Sequence, residues 1–466
     1  MKSSEVIVAL VIVSIAMTIG ILWIPESISI AYFAITIGII IFFIITYNKR
    51  YMWGYHGLFN LAIPSVVISI YTFIIALPAI YISGELQPWV AENYILAVAS
   101  FYILYPVGLF LGEMISPIDM QKHENISTPV SLSHRINIDK TLYYSLVLLS
   151  VFLFSLYILK ARSAPFIELI LSPGDSQKYS RMREEAFKTL HMSRIEQYLF
   201  SWNRSLLIPM IGVMSIFYLR INKHLHNYII AYGVFVYGFF VNIITLEKSP
   251  AASLLLSILV AIYLSSKKRD IRLILLSVGL SLSIPLVIWY LLQFGRDDIW
   301  QVIFMSLALR LFVIPADVLA QYFVVFPGIE GHLLGRSSQL FSWMHVEGTF
   351  PVSNFVMRIW LDNPETTGFA NAIYLGNYWA DFGIYGVILA HVVFGLILQL
   401  TYATYVKSSN YNVDLKYIIG IAISIPIFTF GFFSSNFTIL YVTRGVLIWL
   451  AILIVMQKKK AMSVKA

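Results

Sequence analysis

The sequence predicts an all-α, polytopic membrane protein, on three observations. Of its 466 residues, 59% are hydrophobic and only 12% are charged, whereas a soluble chain carries about a quarter charged residues. Apolar runs of the length a bilayer requires, about 20 residues, recur along most of the chain, and the mean hydropathy is +0.79. The basic residues gather at the ends of these runs, so the net charge of +8 reads as membrane topology and not as a nucleic-acid surface. Cysteine is absent, which excludes a disulfide framework or a thiolate metal site.

Taken in order, the apolar runs predict spans at 6–24, 28–46, 58–82, 94–111, 142–159, 205–219, 228–246, 250–265, 273–292, 372–400, 417–433 and 437–456. That makes about twelve transmembrane helices. The first has an apolar core too long for a signal peptide and no small-x-small site after it, so it reads as a retained span. Lys49 and Arg50 follow the second span, and Lys122, Arg135 and Lys140 lie between the fourth and fifth. Arg220 and Lys223, Lys267 to Arg272, Lys407 and Lys416, and Lys458 to Lys460 follow later even-numbered spans. All fall on one side, so both termini are expected in the cytoplasm. The turn at 83–93, with Glu85 and Glu92, falls on the other side.

This parity decides an ambiguous segment. Residues 299–326 are apolar enough to span, but Arg310 and Asp317 lie inside, and counting the segment would export the Lys458 to Lys460 tail. It is therefore expected as an interfacial or re-entrant helix on the outer face. The chain reads as one integral membrane domain, 1–466, with two large outer loops carrying amphipathic helices, 160–202 and 293–371.

Both loops are cationic. The first holds Arg181, with Arg204 just beyond it; the second holds Arg310, Arg336 and Arg358 among many aromatic and aliphatic residues. Arginine stays charged and presents a planar fork that grips two phosphate oxygens at once, so a diphosphate clamp is one reading. The other is general attraction to the headgroups of membrane lipids. Arg444 lies inside the last predicted span, where a charge is costly and marks a site by default. Glu247 and Lys248 place a carboxylate and an ammonium at a short outer turn.

His345 and Glu347 are the best outer-loop candidates for a general base. Asp381 follows in Asn377-Tyr-Trp-Ala-Asp381-Phe-Gly383-Ile-Tyr-Gly386, where it reads equally as ion-pair partner or catalytic group. Gly383 and Gly386 are expected to let another helix approach closely. His391 reads as a satisfied core histidine. Sequence motifs for zinc proteases, nucleophile elbows and phosphate loops are missing, and no metal site or cofactor is expected.

Residues Glu247-Lys248-Ser249-Pro250, the segment Arg310…Pro315…Tyr322, and Asn371…Asp381-Phe-Gly383-Ile-Tyr-Gly386 resemble the corresponding stretches of bacterial Wzy-type O-antigen polymerases. About a dozen spans with two cationic outer loops resemble that family in architecture. The resemblance implies a metal-independent glycosyltransferase of the C-type superfamily in the bacterial inner membrane, with its active face periplasmic. Its substrate would be an oligosaccharide repeat unit on undecaprenyl pyrophosphate. A chain-length-regulating co-polymerase would be a further partner, and nucleic acid would not. Arg310, Arg336, Arg358, Arg181, Arg204, Arg444 and Lys248 would then hold the pyrophosphate, with His345, Glu347 or Asp381 handling the proton. An O-antigen ligase shares the architecture. A repeat-unit flippase is a third reading, although flippases place charges along mid-span and the spans here are nearly charge-free.

Overall fold

The computed structural model describes residues 61–118, 140–160, 165–171, 173, 182, 192–221, 224–266, 271–293, 297–338, 348–366, 368–408, 415–432 and 439–454. Among them, every regular element is helical. In chain order these are α1 (Ile63–Ser83), α2 (Pro88–Ile115), α3 (Lys140–Lys160), α4 (Pro165–Leu171), α5 (Arg194–Trp202), α6 (Ile208–Ile221) and α7 (Leu225–Ile243). Then follow α8 (Lys248–Leu264), α9 (Ile271–Leu292), α10 (Ile299–Phe312), α11 (Ile314–Val325), α12 (Val352–Trp360), α13 (Tyr374–Ser408) and α14 (Leu415–Pro426). The predicted spans 6–24 and 28–46 lie outside the described residues.

Among the described residues, five helices are long and apolar enough to cross a membrane: α1, α2, α3, the run Ile195–Leu219 through α5 and α6, and α13. The count rises to six if the pair Ile299–Arg310 and Ile314–Val325, bent by 54°, is one span. Lys248–Leu264 and Leu415–Gly431 are shorter apolar helices.

Proline shapes several of these helices. Its ring removes an N–H and crowds the carbonyl one turn back, so the helix must loosen nearby. The π turn Thr72–Ala76 lies just before Pro78, the π turn Asn203–Leu207 just before Pro209, and the π turn Ile427–Gly431 just after Pro426. At Asn203–Leu207 this widening falls on Arg204.

The chain divides into two compact units. The first takes residues 1–117, 308–403 and 431–438. Its core is built on tyrosines whose rings are buried and whose hydroxyls are answered. Tyr71 stacks on Phe101 at 3.8 Å and donates to Val98 O; Tyr94 donates to Ala316 O; Tyr105 donates to Pro64 O. A buried phenol is tolerated only with such a partner. Helices α2 and α13 meet through glycine: a Cβ on Gly395 would stand 2.3 Å from Tyr105 O, and one on Gly108 2.1 Å from Val392 O. Small residues at this spacing are what let apolar helices approach backbone to backbone.

Two expectations are narrowed or changed here. Of the two forms expected for 299–326, the surface-lying one does not hold for residues 314–325, where Leu319, Tyr322 and Phe323 are fully buried and α11 packs on α1, α2 and α12. The bent pair is a broken span or a re-entrant segment. A helix apolar on all faces belongs in a core, and its one acid, Asp317, stands in the first turn, where it accepts from Gln321 Nε2 at 3.0 Å. The glycines of α13 also serve differently from expectation. Gly383 has φ 59 and ψ −142, a conformation open to glycine, and breaks the helix there. Gly386 admits the carbonyl of Tyr378 from the same helix, 2.3 Å from where a Cβ would be.

The second unit takes residues 118–307, 404–430 and 439–466. Tyr157, Phe200, Ile208, Val241, Ile244, Leu254 and Ile258 form its central cluster. Helix α8 packs on α6, α9 and α14. The segment expected as the first outer loop, 160–202, is helical at both described ends. Ser193 and Glu196 form a reciprocal capping box that starts α5, and Glu196 takes Lys160 Nζ at 2.5 Å. Helix α5 continues through the π turn into α6, so Arg204 falls within a helix and not at a loop end.

Candidate functional site

The second unit gathers charge at one turn. Between α7 and α8 the chain reverses through residues 244–247, and Leu246 takes a left-handed φ of 57. Such a conformation costs a non-glycine residue about 1 kcal/mol or more. Burial of the Leu246 side chain against Phe166, Leu169 and Leu291 offsets that cost. The reversal leaves Glu247 at the N-cap of α8, yet its side chain makes no cap hydrogen bond. It turns instead to Arg204, whose Nη1 donates to Oε2 at 2.6 Å.

Arg204 is only 6% exposed. Its Nη2 donates to Asn242 O at 3.1 Å, and its guanidinium stands 5.3 Å from the Phe200 ring centroid. An arginine this deep persists because a carboxylate, a carbonyl and an aromatic face share its charge. Around it, Arg204 Nε, Tyr157 OH, Asn203 Oδ1 and Asn242 Oδ1 are buried without a hydrogen-bond partner among the described residues.

Arg444 arrives from another element. The π turn Ile439–Thr443 ends in a bend at Gly445, φ 82, and its last carbonyls are taken by α5 and the turn after it. Trp202 Nε1 donates to Val442 O at 2.8 Å, Ser201 Oγ to Thr443 O at 2.9 Å, and Ser205 Oγ to Arg444 O at 2.9 Å. The Arg444 side chain is half-buried and lies within electrostatic range of both Glu247 and Arg204. Lys248 follows Glu247 directly, its Nζ 4.1 Å from the Trp289 ring centroid. Two of the cations singled out in the sequence, Arg204 and Arg444, therefore lie about one carboxylate, with Lys248 next to it in the chain, an excess of positive charge suited to an anion.

The first unit holds the other described candidates. Asp381, 3% exposed, accepts from the Ser337 backbone N–H at 2.9 Å and from the Ser337 hydroxyl. The break at Gly383 lets Ala380 O and Asp381 O accept from Leu333 and Leu334 N–H at 2.9 and 3.0 Å. Asp381 thereby fastens the loop that carries Arg336, and its carboxylate is closed to a substrate. The guanidinium of Arg336 lies 5.6 Å from the Phe350 ring centroid. Arg358 is exposed on α12 and reaches Thr366 O through Nε at 3.4 Å; Arg310 is exposed on α10. Arg181, His345 and Glu347 lie outside the described residues.

Among the described residues, no group of three or more His, Cys, Asp or Glu is placed to hold a metal. The partnership of Glu247 with Arg204 was not visible in the sequence. Its only local signal is an acid at a short turn before Ser249-Pro250. No protein-family model, no curated protein and no solved structure matches the chain.

Proposed function

We propose that this chain is a polytopic membrane glycosyltransferase that polymerises oligosaccharide repeat units carried on undecaprenyl pyrophosphate. In this reading about twelve spans set both termini in the cytoplasm and the charged turn at the periplasmic face of the inner membrane. The observation that carries it is Arg204 and Arg444 gathered at Glu247, with Lys248 the next residue, beside long apolar helices. A diphosphate on a lipid anchor is the anion such a place would meet. In this reading Arg444 and Lys248, both half-buried, hold the diphosphate, while Arg204, buried, holds Glu247.

In glycosyl transfer of this kind the bond from the anomeric carbon to the diphosphate breaks, and negative charge builds on the departing oxygen. Fixed cations already in place stabilise that charge without reorganising, which is the largest single source of catalysis in many enzymes. The acceptor hydroxyl of a second lipid-linked unit attacks the anomeric carbon and must lose its proton.

Arg444→Ala is the decisive variant, because the Arg444 side chain is half-buried while the chain around it is fixed by backbone carbonyls. Expected is the loss of long glycan chains from the cell surface, leaving single repeat units, with normal protein in the membrane. An unchanged ladder overturns the reading. Bare lipid core in cells lacking the gene points instead to a ligase or flippase.

A further inference from the structure

We propose that Glu247 takes the proton from the acceptor hydroxyl, an assignment that rests on the glycosyl-transfer reading above. Three features of the chain converge on this carboxylate.

The turn fixes the direction of Glu247. Leu246 adopts a left-handed conformation, and Glu247 forgoes capping its own helix to point at Arg204. Backbone outliers of this type concentrate where a side chain must be held in one direction.

Accessibility separates the two partners of the ion pair. The Glu247 side chain is 38% exposed while that of Arg204 is 6%. The carboxylate can be reached by a hydroxyl; the guanidinium behind it cannot. Arg204 is itself fixed by Asn242 O and the Phe200 face, so it orients Glu247 as a rigid second partner orients a catalytic base.

Position supplies the third: Arg204 Nη1 donates to one Glu247 oxygen, Oε2, and Arg444 lies within electrostatic range, so the carboxylate stands beside the cations proposed to hold the diphosphate. In the step itself the acceptor O–H bond breaks and its proton passes to a Glu247 oxygen. The freed oxygen electron pair forms the bond to the anomeric carbon, and the bond from that carbon to diphosphate breaks, its pair leaving on the lipid diphosphate.

The test uses the full-length protein in vesicles, with lipid-linked repeat units extracted from cells lacking the gene, and separately undecaprenyl diphosphate as a binding probe. Glu247→Gln is expected to lower turnover by about 100-fold or more, the range of general-base catalysis, while retaining undecaprenyl diphosphate at least as well as the unaltered protein. Glu247→Asp keeps the charge and the pairing but withdraws the carboxylate by one methylene. It is expected to lower kcat about tenfold with KM unchanged, and it remains decisive if the glutamine variant does not fold. Turnover within threefold of normal in either folded variant overturns the assignment while Arg444→Ala remains inactive. Loss of diphosphate retention in parallel with turnover in the glutamine variant also overturns it, by making Glu247 a mere counter-ion. If Arg444→Ala extends chains normally, the glycosyl-transfer reading fails instead, a result distinct from both.

Discussion

Asp381 accepts two hydrogen bonds from Ser337, one from its backbone N–H at 2.9 Å and one from its hydroxyl. With the carbonyls of Ala380 and Asp381 taken by Leu333 and Leu334, the loop before Arg336 is stitched to the break in α13. A carboxylate so occupied, and 3% exposed, is a fastener. Asp381→Asn keeps the shape and loses the charge-assisted bonds, so we expect a stability loss of about 1–3 kcal/mol. Thermal unfolding in detergent reads this as a lowered midpoint. Below that midpoint the variant is expected to retain turnover, whereas a hundredfold drop would restore Asp381 as a catalytic group.

The glycine contact between α2 and α13 makes a contrast that needs no substrate. A Cβ on Gly395 would lie 2.3 Å from Tyr105 O and 3.0 Å from Leu109 N, backbone atoms with nowhere to go. Gly395→Ala is therefore expected to destabilise by about 1–3 kcal/mol, the usual cost of overpacking. Gly233 and Gly279, within α7 and α9, have nothing within 4 Å of a built Cβ. Alanine at either is expected to be neutral or to stabilise by about 0.5–1 kcal/mol, as in a free helix interior. Equal effects at all of these positions would show that the close crossing is not there.

His391 is held from both sides, as expected of a core histidine. Its Nε2 faces Ala97 O at 3.1 Å and its Nδ1 faces the Tyr374 hydroxyl at 2.7 Å. A carbonyl only accepts, so Nε2 carries a hydrogen, and in the neutral ring Nδ1 then accepts from the Tyr374 hydroxyl. Tyr374→Phe leaves Nδ1 buried without a donor and is expected to cost about 1–3 kcal/mol. A neutral result in the unfolding midpoint would mean that the ring has turned over in its pocket.

How far the sequence could be read follows from the range of the forces involved. Long helices were legible because apolar content and the positions of charges are local, and α2, α3 and α13 appear close to where the apolar runs put them. The buried place of α11 was legible only as the re-entrant alternative, because Arg310 and Asp317 suggested an interface. Asp317 stands in the first turn of α11 and Arg310 on the exposed end of α10, which leaves the apolar part free to enter the core. Arg204 and Lys248 were singled out for their charge alone. The pairing of Arg204 with Glu247 spans 43 residues and depends on a left-handed leucine, for which no spacing rule exists.

That pairing supports a quantitative expectation. Removing Glu247 leaves a guanidinium 6% exposed with only Asn242 O and the Phe200 ring to answer it. Breaking a buried pair from one side costs about 3–5 kcal/mol, and because the carboxylate is more than a third exposed the lower end applies to Glu247→Ala. Arg204→Leu removes the buried charge and fills its place with apolar volume, so its cost is expected to be smaller. In the double variant no charge is stranded, and replacement of an ion pair by apolar side chains is often neutral. The double variant is therefore expected to be more stable than Glu247→Ala alone, with a coupling of about 1–3 kcal/mol. Simple addition of the two single effects, measured by denaturant or heat in detergent, would show that the residues do not hold each other.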